Sequence, residues 1–139
     1  MPIAYLTRVV GFTATHRIAR PDWTEERNTA TFGKAARDHS HHYECRVTVK
    51  GRLVADQGGV VSLATLDALL AREITERLEG QHINRVLPEF ADGNQLATGE
   101  ALAVYFWGRL ADALPPGVRL HAIRVQEGSH LYSEYFGEP

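Results

Sequence analysis

The 139-residue chain is long enough for one domain with a real core, but not comfortably for two, so one domain is expected over residues 1–139. Its 44% hydrophobic and 23% charged residues are ordinary for a globular protein, and a net charge of -2 gives no electrostatic footing for nucleic acid or an anionic membrane. No apolar run approaches the roughly 20 residues of a membrane span, the N-terminus lacks a signal-peptide layout, and Cys45 is the lone cysteine. These features together favour the cytoplasm.

Ile3 to Arg17 alternates and is rich in Val, Thr and Phe, which predicts a strand ending near His16. Arg20 to Arg37 is polar, with Pro21, Asn28 and Gly33, and reads as a long loop of the kind that often carries function. Tyr43 to Lys50 alternates cleanly: Tyr43, Cys45, Val47 and Val49 share one face, and Glu44, Arg46, Thr48 and Lys50 the other. Ser62 to Leu78 reads as a helix capped by Ser62, with an apolar stripe at Leu66, Leu69, Leu70, Ile74 and Leu78. Gly80 to Gly93 reads as a second loop. Thr98 to Leu114 reads as a helix capped by Thr98, favoured by Glu100 in its first turn and stopped by Pro115-Pro116-Gly117. Val118 to Glu127 and His130 to Phe136 complete the pattern as two strands joined near Gly128. The order ββααββ predicts an α+β fold: a four-stranded antiparallel sheet with two helices on one face. Open edges and an uncovered second face predict a homo-oligomer.

His39-Ser40-His41 stands just ahead of the second strand. Residues two apart in an extended segment point the same way, so both imidazoles can reach one ion. His16, on another strand, could close a three-nitrogen face and leave a fourth position free, as in a catalytic zinc site. The competing reading is a polar loop that happens to be rich in histidine. Glu127 before a turn and Glu100 opening a helix could grip a nitrogen heterocycle through paired N–H donors, or could simply be solvated. His82 in the second loop could serve as acid or base, or sit idle on the surface. Cys45, mid-strand on the apolar face, reads as a small hydrophobe rather than a nucleophile.

In order, the chain carries Phe12-Thr13-Ala14-Thr15-His16, Asn28, Phe32-Gly33-Lys34, His39-Ser40-His41-His42-Tyr43, Asp56-Gln57-Gly58-Gly59-Val60-Val61, Leu78 to Asn84, Thr98-Gly99-Glu100 and Val125-Gln126-Glu127. This series resembles the 6-pyruvoyl-tetrahydropterin synthase and 6-carboxytetrahydropterin synthase family over nearly the whole chain. The resemblance implies the tunnelling fold, a homohexamer built as a dimer of trimers, and active sites between subunits. It implies Zn2+ on His16, His39 and His41, and a pterin anchored by Glu127 with Thr98 and Glu100 nearby. It implies a carbon–oxygen or carbon–carbon lyase acting on 7,8-dihydroneopterin triphosphate or a related pterin.

The departures are equally specific. Ala35 stands where the family has its catalytic cysteine, and Glu79 and Gly80 stand where it has an acid–base Asp-His pair. Ser40 replaces the glycine of the His-x-His motif, and His42 takes the place of the usual Asn. Metal and anchor residues remain while the usual proton-transfer residues are gone, leaving Glu79, His82 and Asp38 as substitutes. The alternative expectation is a repurposed member that binds pterin or another small molecule without the usual turnover, or with different zinc-assisted chemistry. A structural zinc protein is a third.

Overall fold

The structure is a computed structural model and describes residues 2–139. Strand β1 (Ile3–His16) and strand β2 (His39–Arg52) form a long antiparallel ladder, from Ile3 opposite Arg52 to His16 opposite His39. Between them lies α1 (Glu25–Phe32). After β2 come α2 (Leu63–Leu70), a π-helical turn (Ala71–Thr75) and α3 (Glu76–Leu78), an almost unbroken helical run. Strand β3 (Gln81–His82), α4 (Ile83–Val86), α5 (Gly99–Leu110), β4 (Val118–Glu127) and β5 (Leu131–Tyr135) complete the chain.

The α+β class and the helical layer agree with expectation, but the sheet does not. It has five strands in the order β3-β1-β2-β4-β5 and is mixed, because β3 runs parallel to β1 at Ala14 and Thr15. The expected four-stranded antiparallel sheet is therefore corrected. A two-residue strand has no room for a period-two signal, and Gln81-His82 follows a glycine turn that reads locally as loop. Gly80 makes that turn at φ 71°, a left-handed conformation that glycine adopts without steric cost.

The long polar loop also contains a helix. Thr24 caps α1 by accepting from the Arg27 N–H at 3.1 Å, and Glu25 and Glu26 occupy the favourable first turn. α1 lacks an apolar stripe and buries only Asn28, so periodicity could not reveal it. Asn28 closes the preceding turn instead, accepting from the Arg20 N–H and donating to the Arg20 carbonyl. Ser62 and Thr98 cap their helices as expected, through Thr65 N–H and Ala101 N–H.

The inner face of the sheet supplies Phe12, Ala14, Tyr43, Cys45, Val47, Val49, Ile123 and Val125 to the core. The helices supply Leu66, Leu69, Leu70, Ile74, Leu78, Leu102, Ala103, Phe106 and Leu110. Fully burying each large apolar side chain stabilises the fold by about 1.5–3 kcal/mol. Phe12 and Tyr43 stack at 5.1 Å, which fixes the β1–β2 ladder just below the three histidines.

Candidate metal centre and its neighbours

Three inward-facing positions at the top of the β1–β2 ladder carry imidazoles. His16 lies directly opposite His39, and His41 is opposite Ala14, two residues before His16. The ring centroids are 4.5, 4.7 and 5.2 Å apart, and one nitrogen from each ring lies within 4.8 Å of the others. Period-two geometry brings His39 and His41 to one face, and the antiparallel register adds His16.

Two backbone carbonyls set the tautomers. His16 Nδ1 donates to the Ala97 carbonyl at 2.8 Å, and His39 Nδ1 donates to the Arg37 carbonyl at 2.7 Å. A carbonyl only accepts, so the proton sits on Nδ1 and each Nε2 presents a lone pair. His16 Nε2 is buried and has no hydrogen-bond partner among the described residues. Burial lowers the His16 pKa to about 4, opposed by the Ala97 bond and reinforced by His39 and His41. Burial and His39 also lower the His41 pKa. Three imidazoles that bring one nitrogen each within 4.8 Å of the others, with the buried His16 Nε2 left without a hydrogen bond, suit a borderline-soft divalent cation, and Zn2+ fits this donor set.

Glu127 ends β4 opposite Tyr43. The Tyr43 hydroxyl donates to its Oε1 at 3.4 Å, and the same oxygen lies 3.7 Å from His16 Nε2. Burial raises the Glu127 pKa, Tyr43 opposes the shift, and nearby Glu100 adds to it. Burial, with Glu127 beside it, likewise raises the Tyr43 pKa. The start of α5 closes against this carboxylate. A Cβ on Gly99 would come 2.9 Å from Ser133 Oγ and 3.5 Å from Glu127 Oε2, so glycine permits the approach. Ser133 Oγ donates to Glu100 at 3.2 Å, while the Thr98 hydroxyl is engaged as the helix cap. The expected anchor residues Thr98, Glu100 and Glu127 thus gather at one place.

The candidate proton carriers separate. Glu79 Oε2 accepts the Thr13 N–H at 2.6 Å, and Gly80 N–H donates to the Thr13 carbonyl at 2.7 Å. Its carboxylate thereby extends the ladder at the edge of β1. His82 is carried by β3 to a position beside Thr15, where its Nε2 lies 3.0 Å from Asp38 Oδ1. The hydrogen bond from His82 holds the Asp38 pKa below its usual value, against burial and with help from Arg17 and Arg85. A carboxylate only accepts, so Nε2 carries a proton, and in the neutral ring Nδ1 holds a lone pair. That Nδ1 is buried and unpaired among the described residues. A cleft of about 670 Å³ adjoins Asp38 and is lined in part by Arg17, Trp23 and Arg37 as well.

Ala35 lies in a 3-10 turn, Gly33–Ala36, and its carbonyl accepts from Ile18 N–H at 2.7 Å. Nothing lies within 4 Å of a Cβ built on Gly80. Sequence reasoning missed Tyr43 and Ser133 as partners of the two glutamates. Tyr43 could have been found by continuing the inward-facing series from His39 through His41. The Ala97 and Arg37 carbonyls leave no trace in sequence.

Comparison with known proteins follows the same lines. The family model described as 6-pyruvoyl tetrahydropterin synthase matches residues 5–138. A 6-pyruvoyl tetrahydrobiopterin synthase of Poecilia reticulata is 34% identical over 138 residues, covering 98% of this chain and 92% of its own. The Homo sapiens enzyme of the same name is 34% identical over 137 residues, with coverages of 97% and 92%. The structure of Caenorhabditis elegans 6-pyruvoyl tetrahydropterin synthase superposes with a TM-score of 0.89 at 25% identity, covering 99% of this chain and 98% of that one. The chain belongs to the 6-pyruvoyl tetrahydropterin synthase family.

Proposed function

We propose that the protein is a zinc-dependent lyase acting on 7,8-dihydroneopterin triphosphate or a closely related pterin. The observation that carries this reading is the convergence of His16, His39 and His41, with the buried His16 Nε2 lacking a hydrogen-bond partner among the described residues. The names of the relatives support the substrate class. When bound, zinc supplies a Lewis acid that polarises an oxygen of the substrate side chain. Glu127, with two acceptor oxygens at the edge of the histidine group, orients the ring by receiving paired N–H donors. Thr98 and Glu100 shape the same wall.

Proton transfer falls to His82. Its Nδ1 lone pair accepts a proton from a side-chain carbon, and Asp38 on Nε2 stabilises the imidazolium that forms. As the C–H pair becomes a carbon–carbon double bond, the adjacent carbon–oxygen bond breaks and its electrons leave with the triphosphate. Glu79, tied to the Thr13 N–H, is the weaker candidate for this step. The unpaired outer edges of β3 and β5, and the exposed Ile3, Tyr5, Leu131, Tyr132 and Phe136, support the homohexamer. No helix among the described residues is long and apolar enough to cross a membrane. The single buried cysteine fits a cytoplasmic setting.

Ala35 and the open space at Gly80 favour a second reading, a family member that holds pterin without the usual turnover. One experiment separates the two. Zinc-loaded protein is incubated with 7,8-dihydroneopterin triphosphate beside an active relative, and products are read by mass spectrometry. Loss of triphosphate from the substrate supports the lyase. Micromolar pterin binding without product supports the second reading and rejects the first.

A further inference from the structure

The face of the sheet turned away from the helices holds a second cluster of polar groups. Arg46 is five residues along β2 from His41, roughly 16 Å away, and points to the opposite face. The β2–β4 register places it directly across from Arg124. Like charges in directly opposed positions on one sheet face repel, and opposite charges or apolar pairs are the favourable choice there.

The local acids offset this repulsion only in part. Arg124 donates to Glu134 at 3.3 Å and lies 4.0 Å over the Tyr132 ring. Arg46 has Glu44 at 3.9 Å, too long for a hydrogen bond, and its Nε is buried without an acceptor among the described residues. A buried donor on a charged group is costly to leave unmatched. Thr7 and Thr48 face each other with hydroxyls 2.7 Å apart. One hydroxyl donates to the other, so one O–H remains free to donate elsewhere. These groups surround a recess of about 170 Å³ lined by Thr7, Arg46, Thr48, Ala122, Arg124 and Glu134.

We propose that this recess binds a small tetrahedral oxyanion of the phosphate or sulfate class, bridged between Arg46 and Arg124. Guanidinium forks match such oxygens bidentately, and Arg46 and Arg124, directly opposed in the ladder, both line the recess. The Thr7 and Thr48 hydroxyls line the same recess and hold one spare O–H donor between them. Glu134 is the built-in competitor: its carboxylate holds Arg124 until a more highly charged anion displaces it. The site needs neither metal nor pterin, so it stands apart from the lyase reading.

The test measures binding of inorganic phosphate to the metal-loaded protein by calorimetry, with thermal melting in phosphate-free and phosphate-containing buffer. Wild type should bind and melt higher in phosphate. Arg46→Gln and Arg124→Gln should each weaken binding at least about tenfold. Arg46→Gln should melt no lower than wild type in phosphate-free buffer, since the like-charge pair is gone. Glu134→Gln, which removes the competitor, should bind phosphate more tightly. Metal and histidines are unchanged in every variant, so phosphate held at the metal centre would show as equal affinity in wild type and Arg46→Gln. That equality overturns the proposal, as does the lack of any phosphate-dependent melting shift up to about 10 mM. Sulfate in place of phosphate should compete for the same site.

Discussion

Glu127→Gln separates function from stability, because the same burial that equips the carboxylate for binding works against the empty fold. In the proposed pterin complex, its two oxygens would receive paired N–H donors. The amide keeps one acceptor and turns the other position into a donor facing a donor. Losing one charge-assisted hydrogen bond and leaving a buried donor unmatched costs about 3 kcal/mol, a hundred-fold or more in Kd. The free protein responds the other way. Burial raises the Glu127 pKa above the ordinary 4.5, so the folded state holds this proton to a higher pH than the unfolded chain does. Folded stability from this group is therefore full below 4.5 and lost as pH rises through the folded value. At neutral pH the charge is a burden, and the glutamine variant should melt no lower than wild type. Fluorescence titration with a pterin, thermal melting by circular dichroism and zinc content by atomic absorption give the three readouts. Pterin affinity within a few-fold of wild type, with metal content unchanged, would refute the anchor role. A large drop in melting temperature would refute the burial reasoning.

Under the proposed zinc reading, His41→Ala should retain far less zinc than wild type after dialysis against a weak chelator, with the fold intact by circular dichroism. His82→Gln should slow turnover by about 10² to 10⁴ while pterin affinity holds, whereas Glu79→Ala should keep turnover within about tenfold and destabilise the fold by about 1 kcal/mol through the lost Thr13 bond. Burial pushes the Glu73 carboxyl up, but bonds from Arg109 and Arg72 outweigh it and hold the pKa below the usual value. Its contribution is present above 4.5 and lost as pH falls towards the folded value, so Glu73→Gln should flatten that part of the stability–pH curve. Ala35→Cys with Gly80→His meets no neighbour within 4 Å of the new β-carbon at position 80 but places that carbon at φ 71°. The double variant should fold, be about 1–2 kcal/mol less stable, and gain turnover by mass spectrometry; full stability without added turnover would count against the family geometry at Gly80.

The elements that were legible in the sequence are those whose burial repeats. β2 reads as a strand because Tyr43, Cys45, Val47 and Val49 all vanish into the core on one side. The helical run from Leu63 to Leu78 reads from its leucine stripe, although the π-helical turn at Ala71–Thr75 leaves no compositional mark. α1 and β3 were hidden for opposite reasons. α1 is held by a cap, Asn28 and the Trp23–Phe32 stack rather than by an apolar face. β3 exists only because the chain returns to β1 across 66 residues, from Ala14 to Gln81, and no local pattern encodes that return. The same crossover unites His82 with Asp38, so both residues were visible as candidates but their pairing was not.

The metal-site geometry depends on strand register more than on the histidines themselves. Sliding β2 by one residue against β1 would turn His39 and His41 outward and bring Ser40 and His42 to the core side. The chain would keep four histidines in this region and lose the site. Tyr43, Cys45, Val47 and Val49 resist that slip, because a shift would expose all four and bury Glu44, Arg46, Thr48 and Lys50 in their place. On the outer side the Thr7–Thr48 and Thr15–Ser40 hydroxyl pairs, both at 2.7 Å, are satisfied only in the native register. The alternation that marks β2 as a strand is thus the same feature that aims its two imidazoles, and the core packing below them maintains the candidate metal-binding face above.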